Sequence, residues 1–343
     1  MRAFRLGIVT AVVTVGLVAC GGGSTTRAGG SSPSPSPSPS PSQSVAPAPS
    51  PSLPVFTMAE LKKQHVSAVV KVGLGVDWQL DAFGSVWVAS GALSEVDRIS
   101  AATNRVVARI NISNPCAGMA SVAGSVWIPD CNNNVIDRVD PATDKVVAKV
   151  ATAVADSEGY IAASDNAVWA VVDSQHLGRI NPATNKVAAL VRVPDGSVAV
   201  AFGFGALWVT SSADNSVTKV DATTNRVVTH FAVGMQPRFL ATGAGAVWVL
   251  NQGDGTVSRI DPTTGKVTSI DADSSGRGGC ISAGLAAAWV TIPGAPVTRI
   301  DAASNKVTEQ FKGDGGDCIS VGYGSVWLSN NDAGNVYRIR NFH

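Results

Sequence analysis

Four stretches share one spelling: Gly84-Ser85-Val86-Trp87-Val88-Ala89-Ser90, Gly124-Ser125-Val126-Trp127-Ile128-Pro129-Asp130, Gly245-Ala246-Val247-Trp248-Val249-Leu250-Asn251 and Gly324-Ser325-Val326-Trp327-Leu328-Ser329-Asn330. Working outward, tryptophan recurs at Trp87, Trp127, Trp169, Trp208, Trp248, Trp289 and Trp327, spaced by 40, 42, 39, 40, 41 and 38 residues. A second motif follows the first, as in Arg138-Val139-Asp140-Pro141-Ala142-Thr143-Asp144-Lys145 and Arg179-Ile180-Asn181-Pro182-Ala183-Thr184-Asn185-Lys186. A fixed period near 40 residues is the mark of stacked modules, none of which can bury its apolar face alone.

Within a copy, Val- and Ile-rich runs of four to six residues alternate with turn residues, which favours short strands over helix. Three residues before each Trp stands Gly84, Gly124, Asn166, Gly205, Gly245, Ala286 or Gly324, and all but Ala286 tolerate a left-handed backbone. Asn104, Asp144, Asn185, Asn225, Gly265 and Asn305 share a second such slot, and where Asp or Asn stands four residues earlier, in all but the first, it is placed to accept turn amides. Each copy therefore predicts four antiparallel strands, and seven copies predict an all-β, seven-bladed β-propeller. The last copy ends after Arg338-Ile339-Arg340 without a fourth strand, while His65 to Val72 match that slot. Pairing residues 65–72 with the last blade would close the ring and remove two sticky edges.

Lys and Arg number 26 against 25 Asp and Glu, a net charge of +1, and charged residues are 15% of the chain. No basic field is present to neutralise a phosphate backbone, so nucleic acid is excluded as a general partner. The apolar fraction of 45% is enough for a core.

Arg2 and Arg5 precede an apolar run from Leu6 to Val18, followed by Ala19-Cys20-Gly21. The run is too short to span roughly 30 Å of hydrocarbon and has the layout of an export signal. Residues 21–54 are rich in Gly, Ser and Pro, with alternating Ser-Pro from Ser32 to Ser42, a composition for a solvated spacer. The expected division is 1–19 signal, 20–54 lipidated Cys and linker, 55–64 lead-in and 65–343 propeller.

On its Val-Trp-Val and Asp-Pro-Ala-Thr-Asn-Lys elements, residues 65–343 resemble the YVTN-type β-propeller family, which includes many actinobacterial lipoproteins. Leu17-Val18-Ala19-Cys20 likewise resembles a bacterial lipobox. That resemblance implies that Cys20 is lipidated and becomes the first residue of an exported protein held on the outer face of the cell membrane.

Residues shared by all blades read as scaffold; this includes the tryptophans and the basic series Arg98, Arg138, Arg179, Lys219, Arg259, Arg299 and Arg338. Candidate function lies where copies differ. Ten residues before the tryptophans stand Asp77, Arg238 and Asp317 among small residues, and nine before stand Trp78, Tyr160 and Phe239. With Glu158 they form the expected ligand-binding rim of one channel mouth. Asp77 and Asp317 fall in adjacent blades, either as two solvated carboxylates or with a cation held between them.

Cys116 and Cys131 flank a hairpin turn, and Cys280 and Cys318 are 38 apart, the local blade period, so both pairs can bridge once exported. A reactive thiol or a metal site is the alternative, but nearby His partners are missing. Streptogramin lyases are similar seven-bladed propellers that use His and Glu with a magnesium ion. Here His65 and His230 fall on expected outer strands, His176 in a loop and His343 at the terminus. The expectation is therefore a monomeric, tethered binding module for a protein, glycan or small ligand, with no catalytic residue, metal or cofactor; magnesium belongs to the lyase alternative alone.

Overall fold

The computed structural model describes residues 59–61, 65–272, 279–292 and 295–340. Cys20, the signal segment, the linker and His343 lie outside the described residues. The first six blades are each four antiparallel strands in chain order, from Val76–Ala82, Ser85–Ser90, Glu95–Ser100 and Arg105–Asn111 in blade one to the sheet starting at Ile281–Gly284 in blade six. Within every blade the second strand is buried along its core, because neighbouring blades cover both faces.

The Trp slot explains the stacking. All seven tryptophans are fully buried. Each indole N–H donates to the inner strand five residues back, as in Trp87 to Ala82 O at 3.2 Å and Trp289 to Gly284 O at 2.9 Å; Trp169 uses Ser164 Oγ at 3.0 Å. The outer side of the ring packs against the next blade: Trp327 sits with Val86, Val88 and Ile99, and Trp208 with Val247, Val249 and Ile260. Burying the indole N–H without a partner would cost about 1–3 kcal/mol, so the inner-strand acceptor is part of the slot.

The basic series is scaffold as well. Each of the seven cations lies over its own blade's Trp, between 4.6 Å for Arg338 and 5.9 Å for Arg299. From there Arg98 Nη1 reaches the next blade, donating to Pro141 O at 2.6 Å and Asp144 Oδ1 at 2.8 Å, and Arg138 does the same to Pro182 O and Asn185 Oδ1. Arg98 and Arg138 thus clasp the outer hairpin of the next blade, whereas Arg179 donates to Asn166 Oδ1 in its own blade.

Both turn slots take the left-handed backbone that their residue types predict. Asn104, Asp144, Asn185, Asn225, Gly265 and Asn305 have φ between 53° and 74°. Asp221 and Asp261 accept the amides of the two turn residues that follow, which holds their carboxyls below the usual range. In the inner hairpins both central residues have positive φ, as in Phe83-Gly84 and Tyr323-Gly324, the requirement of a type I′ turn. Ala286 adopts the same geometry at φ 57° without being Gly or Asn. In blade three neither Asp165 nor Asn166 has positive φ, so that turn is of another kind.

Blade seven closes the ring as expected. Val66–Lys71 pairs antiparallel with Asn335–Ile339, supplying the missing outer strand. A further pairing was not visible in the repeat: Ala59–Glu60 adds in parallel to the outer edge of blade six, with Ala59 opposite Phe311 and Glu60 opposite Lys312. Lys312 Nζ stands 3.2 Å from Glu60 Oε1, and Leu61 is buried in the core, so the lead-in is fastened to the blade next to its own. His176 is also not a loop residue: it opens the third strand of blade three, its ring 3.0 Å from Asp173.

Candidate functional site

The inner strands bring the nine-before-Trp positions together at one channel mouth. Trp78, Tyr160 and Phe239, from blades one, three and five, meet as a triangle with ring centroids 5.3, 5.6 and 5.8 Å apart. Such tilted and edge-on contacts suit aromatic quadrupoles. Blades two and four contribute small residues at the same level, Gly118 and Ala199, which leave the rings their room. The fit is tight: a Cβ on Gly118 would lie on the Tyr160 ring, and Gly118 N donates to Gly159 O at 2.9 Å.

Blades six and seven complete the layer with a disulfide. Cys280 and Cys318 are bridged, with Cα atoms 4.9 Å apart, and the Tyr160 hydroxyl donates to Cys280 Sγ. Burial, and then the charge of Asp77, push the Tyr160 phenol above its usual range, so it stays protonated as a donor. The second expected pair, Cys116–Cys131, also forms, across the inner hairpin of blade two. Trp78 and Phe239 are therefore not displayed on the surface as a contact rim. At 5% and 3% exposure they are the body of a plug that stoppers the channel.

Above the plug lies a charged ring. Arg238 Nη2 donates to Asp156 Oδ1 at 2.8 Å and stands 2.9 Å from Glu158 Oε2, while its guanidinium carbon lies 5.7 Å from the Phe239 ring centre. Asp156 also shapes its own loop by accepting Glu158 N at 2.8 Å. Sequence comparison missed Asp156, which precedes the aligned slots in the longest repeat; the one arginine of the ten-before series was the signal that a carboxylate must face it.

Asp77 differs from the solvated carboxylate expected of it. Burial, then the charges of Asp317 and Glu158, push it up to about 7. Asp317 is raised too, by burial, although it accepts Asn331 N at 2.7 Å. Asp77, Asp156, Glu158 and Asp317 thus give the mouth four carboxylates against one guanidinium. Their mutual repulsion is relieved by a proton on Asp77 or by a cationic group from outside.

The described histidines stand elsewhere. His65 lies edge-on to Phe311 beside blade six, and His230 faces Thr218 Oγ1 at 2.9 Å on an outer strand. With Glu158 engaged by Arg238, no His–Glu pair is assembled at the mouth among the described residues.

Fold and mouth together define a closed seven-bladed propeller whose channel is stoppered at one end by aromatic rings and a disulfide. Among solved structures the chain is similar to a streptogramin B lyase, with a TM-score of 0.64 and 17% identity over 80% of this chain and 97% of that one. It is similar to Kuenenia stuttgartiensis hydrazine synthase, with a TM-score of 0.64 and 13% identity over 79% and 96%. It is also similar to BamB from Moraxella catarrhalis, with a TM-score of 0.57 and 16% identity over 79% and 85%. At these identities the likeness is one of fold. No family model matches the chain, and no curated protein matches it.

Proposed function

We propose that this protein is an exported binding module, tethered through a lipid on Cys20 and the 20–54 spacer, with residues 1–19 removed as a signal. It acts as a monomer on the outer face of the cell membrane and engages a partner at the plugged mouth through Asp77, Glu158, Arg238 and Asp317. The two disulfides suit an oxidising compartment. The partner of best fit is a protein segment carrying a basic side chain.

The observation that carries this reading is the acidic ring set directly on the plug. Asp77, pushed up to about 7 beside Asp317 and Glu158, gains most from a cation brought beside it. The lyase alternative would place a His beside Glu158; among the described residues Glu158 is engaged by Arg238 and the histidines stand elsewhere.

The test is capture of interaction partners from envelope extract by the full chain and by an Asp77→Asn/Asp317→Asn variant. Partners retained by the first and lost from the second, with binding weakened by salt, support the proposal. Equal recovery by both, or magnesium-dependent cleavage of a cyclic depsipeptide by the unaltered chain, overturns it.

A further inference from the structure

The two ends of the propeller carry opposite charge. The net charge of +1, from which no basic field is expected, conceals the separation. Because the strands of a blade run antiparallel, the turns joining first to second and third to fourth strands all fall at the end away from the plug. Each blade brings two cations to that end. One is the residue stacked on its Trp, from Arg98 in blade one to Arg338 in blade seven. The other heads the fourth strand in blades one to six, as Arg105, Lys145, Lys186, Arg226, Lys266 and Lys306, and blade seven supplies Arg340. Against these fourteen stand eight carboxylates. Five lie in the outer hairpins, where Asp221 and Asp261 accept turn amides and Asp144 pairs with Arg98; the others are Asp81, Asp165 and Glu309. The plugged end holds the remaining described charges, six cations against sixteen carboxylates.

The six cations that head the fourth strands are free to act outward. All are exposed, and none forms an ion pair among the described residues. They stand one to a blade, so they make a rim of positive charge around the hairpin end. Inside this rim, nearer the axis, the inner turns present Phe83, Phe204, Leu285 and Tyr323, which are 41% to 47% exposed. Each has φ between 51° and 55°, where Gly or Asn forms the turn with less strain. Strain of this kind is retained where a surface has a use.

A basic rim around exposed apolar tips is the pattern of a protein that lies on a lipid surface, rings at the headgroup level and cations against anionic heads. The cations are spread around the circumference, which suits an extended array of mobile anions better than one acidic segment. Attraction to such a surface decays within a Debye length of about 8 Å, so the rim acts in concert only when this face lies flat.

We infer that the hairpin end docks directly on an anionic phospholipid bilayer. The inference takes its setting from the proposed tether, which would keep the protein near lipid, and leaves the acidic mouth turned outward for its partner. The two ends are separate surfaces, so the docking and the proposed function can fail separately.

The test uses the chain from Gly21 onward, which lacks the signal and the acylation site and keeps every described residue. It is sedimented with vesicles of phosphatidylcholine alone and of phosphatidylcholine and phosphatidylglycerol in equal parts. Binding to the mixed vesicles alone, weakened by salt, is expected. Each cation near such a surface contributes a factor of about five, so Lys186→Gln/Arg226→Gln should weaken binding more than tenfold. Phe204→Asn, which suits its turn, should weaken it several-fold, and Asp77→Asn/Asp317→Asn should leave it unchanged. Absence of vesicle binding, equal binding to both vesicles, or indifference to Lys186→Gln/Arg226→Gln overturns the inference. So does self-association without vesicles that both double variants abolish, which would assign the face to a second copy. Retention on polyglutamate without vesicle binding would likewise overturn it and assign the face to an acidic protein segment.

Discussion

Arg338 Nη1 donates to Asn104 Oδ1 at 2.7 Å, joining residues 234 apart in sequence. The same nitrogen donates to Ala101 O, and Arg338 is buried over Trp327. Here the clasp repeated between blades fastens the last blade to the first. It acts at the place where the N-terminal strand Val66–Lys71 completes blade seven.

Arg338→Ala should therefore destabilise the ring more than removal of a surface arginine. It leaves buried acceptors without donors and uncovers the indole, a loss of about 2–4 kcal/mol. Deleting residues 65–72 should be more severe and should yield an aggregating protein with an open edge. Urea denaturation for the point variant and light scattering for the deletion are the measurements. Unchanged midpoints and a monomeric deletion protein would show that closure does not depend on these contacts.

The two disulfides should differ in worth. Cys116–Cys131 closes a 15-residue separation and Cys280–Cys318 one of 38. Loop-closure entropy makes each bridge worth about 3–4 kcal/mol, with the longer loop ahead by about 1 kcal/mol. Cys280→Ala/Cys318→Ala should also loosen the plug, since Tyr160 loses the sulfur it donates to. Near-ultraviolet circular dichroism of the aromatic triangle, measured beside denaturation, separates the two effects. Equal losses for both pairs, with the aromatic signal intact, would contradict the assignment.

The fold was legible because its signals are local and recur: a Trp that must be stacked, a basic residue that must cover it, and Asn or Gly where φ is positive. The plug was half legible. Offsets from Trp found Trp78, Tyr160 and Phe239, but a linear repeat does not show that blades one, three and five converge on the axis. The parallel Ala59–Glu60 pairing left no trace, because two residues carry no periodicity. Nor did the unmade clasp of Arg179, whose motif reads like that of Arg138 while its guanidinium points elsewhere.

Acidification should stabilise this protein between neutrality and about pH 4. Asp77 is raised to about 7 and Asp81 to about 6, in both cases chiefly by burial. A carboxyl whose folded value is raised favours the folded state when protonated. That contribution is full below the unfolded value near 4 and is lost as pH rises through 6 to 7. Asp81→Asn should then stabilise the fold at pH 8, on the order of 2 kcal/mol, and have little effect at pH 4. Asp77→Asn should behave in the same sense. Denaturation midpoints of the three proteins across this range test the sign; an advantage of the Asn variants over the parent that grows on acidification would reverse it.

Phe204→Asn tests the cost of an aromatic residue at a left-handed turn position. Phe204 has φ 55° and is 46% exposed, so its ring contributes little packing and its backbone is held where Asn is more comfortable. The substitution should raise stability by about 1 kcal/mol and remove apolar area from water. Thermal melting of the variant beside the parent reads the change. A variant that is less stable than the parent would mean that Phe204 is held by packing, and the strain would then have a structural cause.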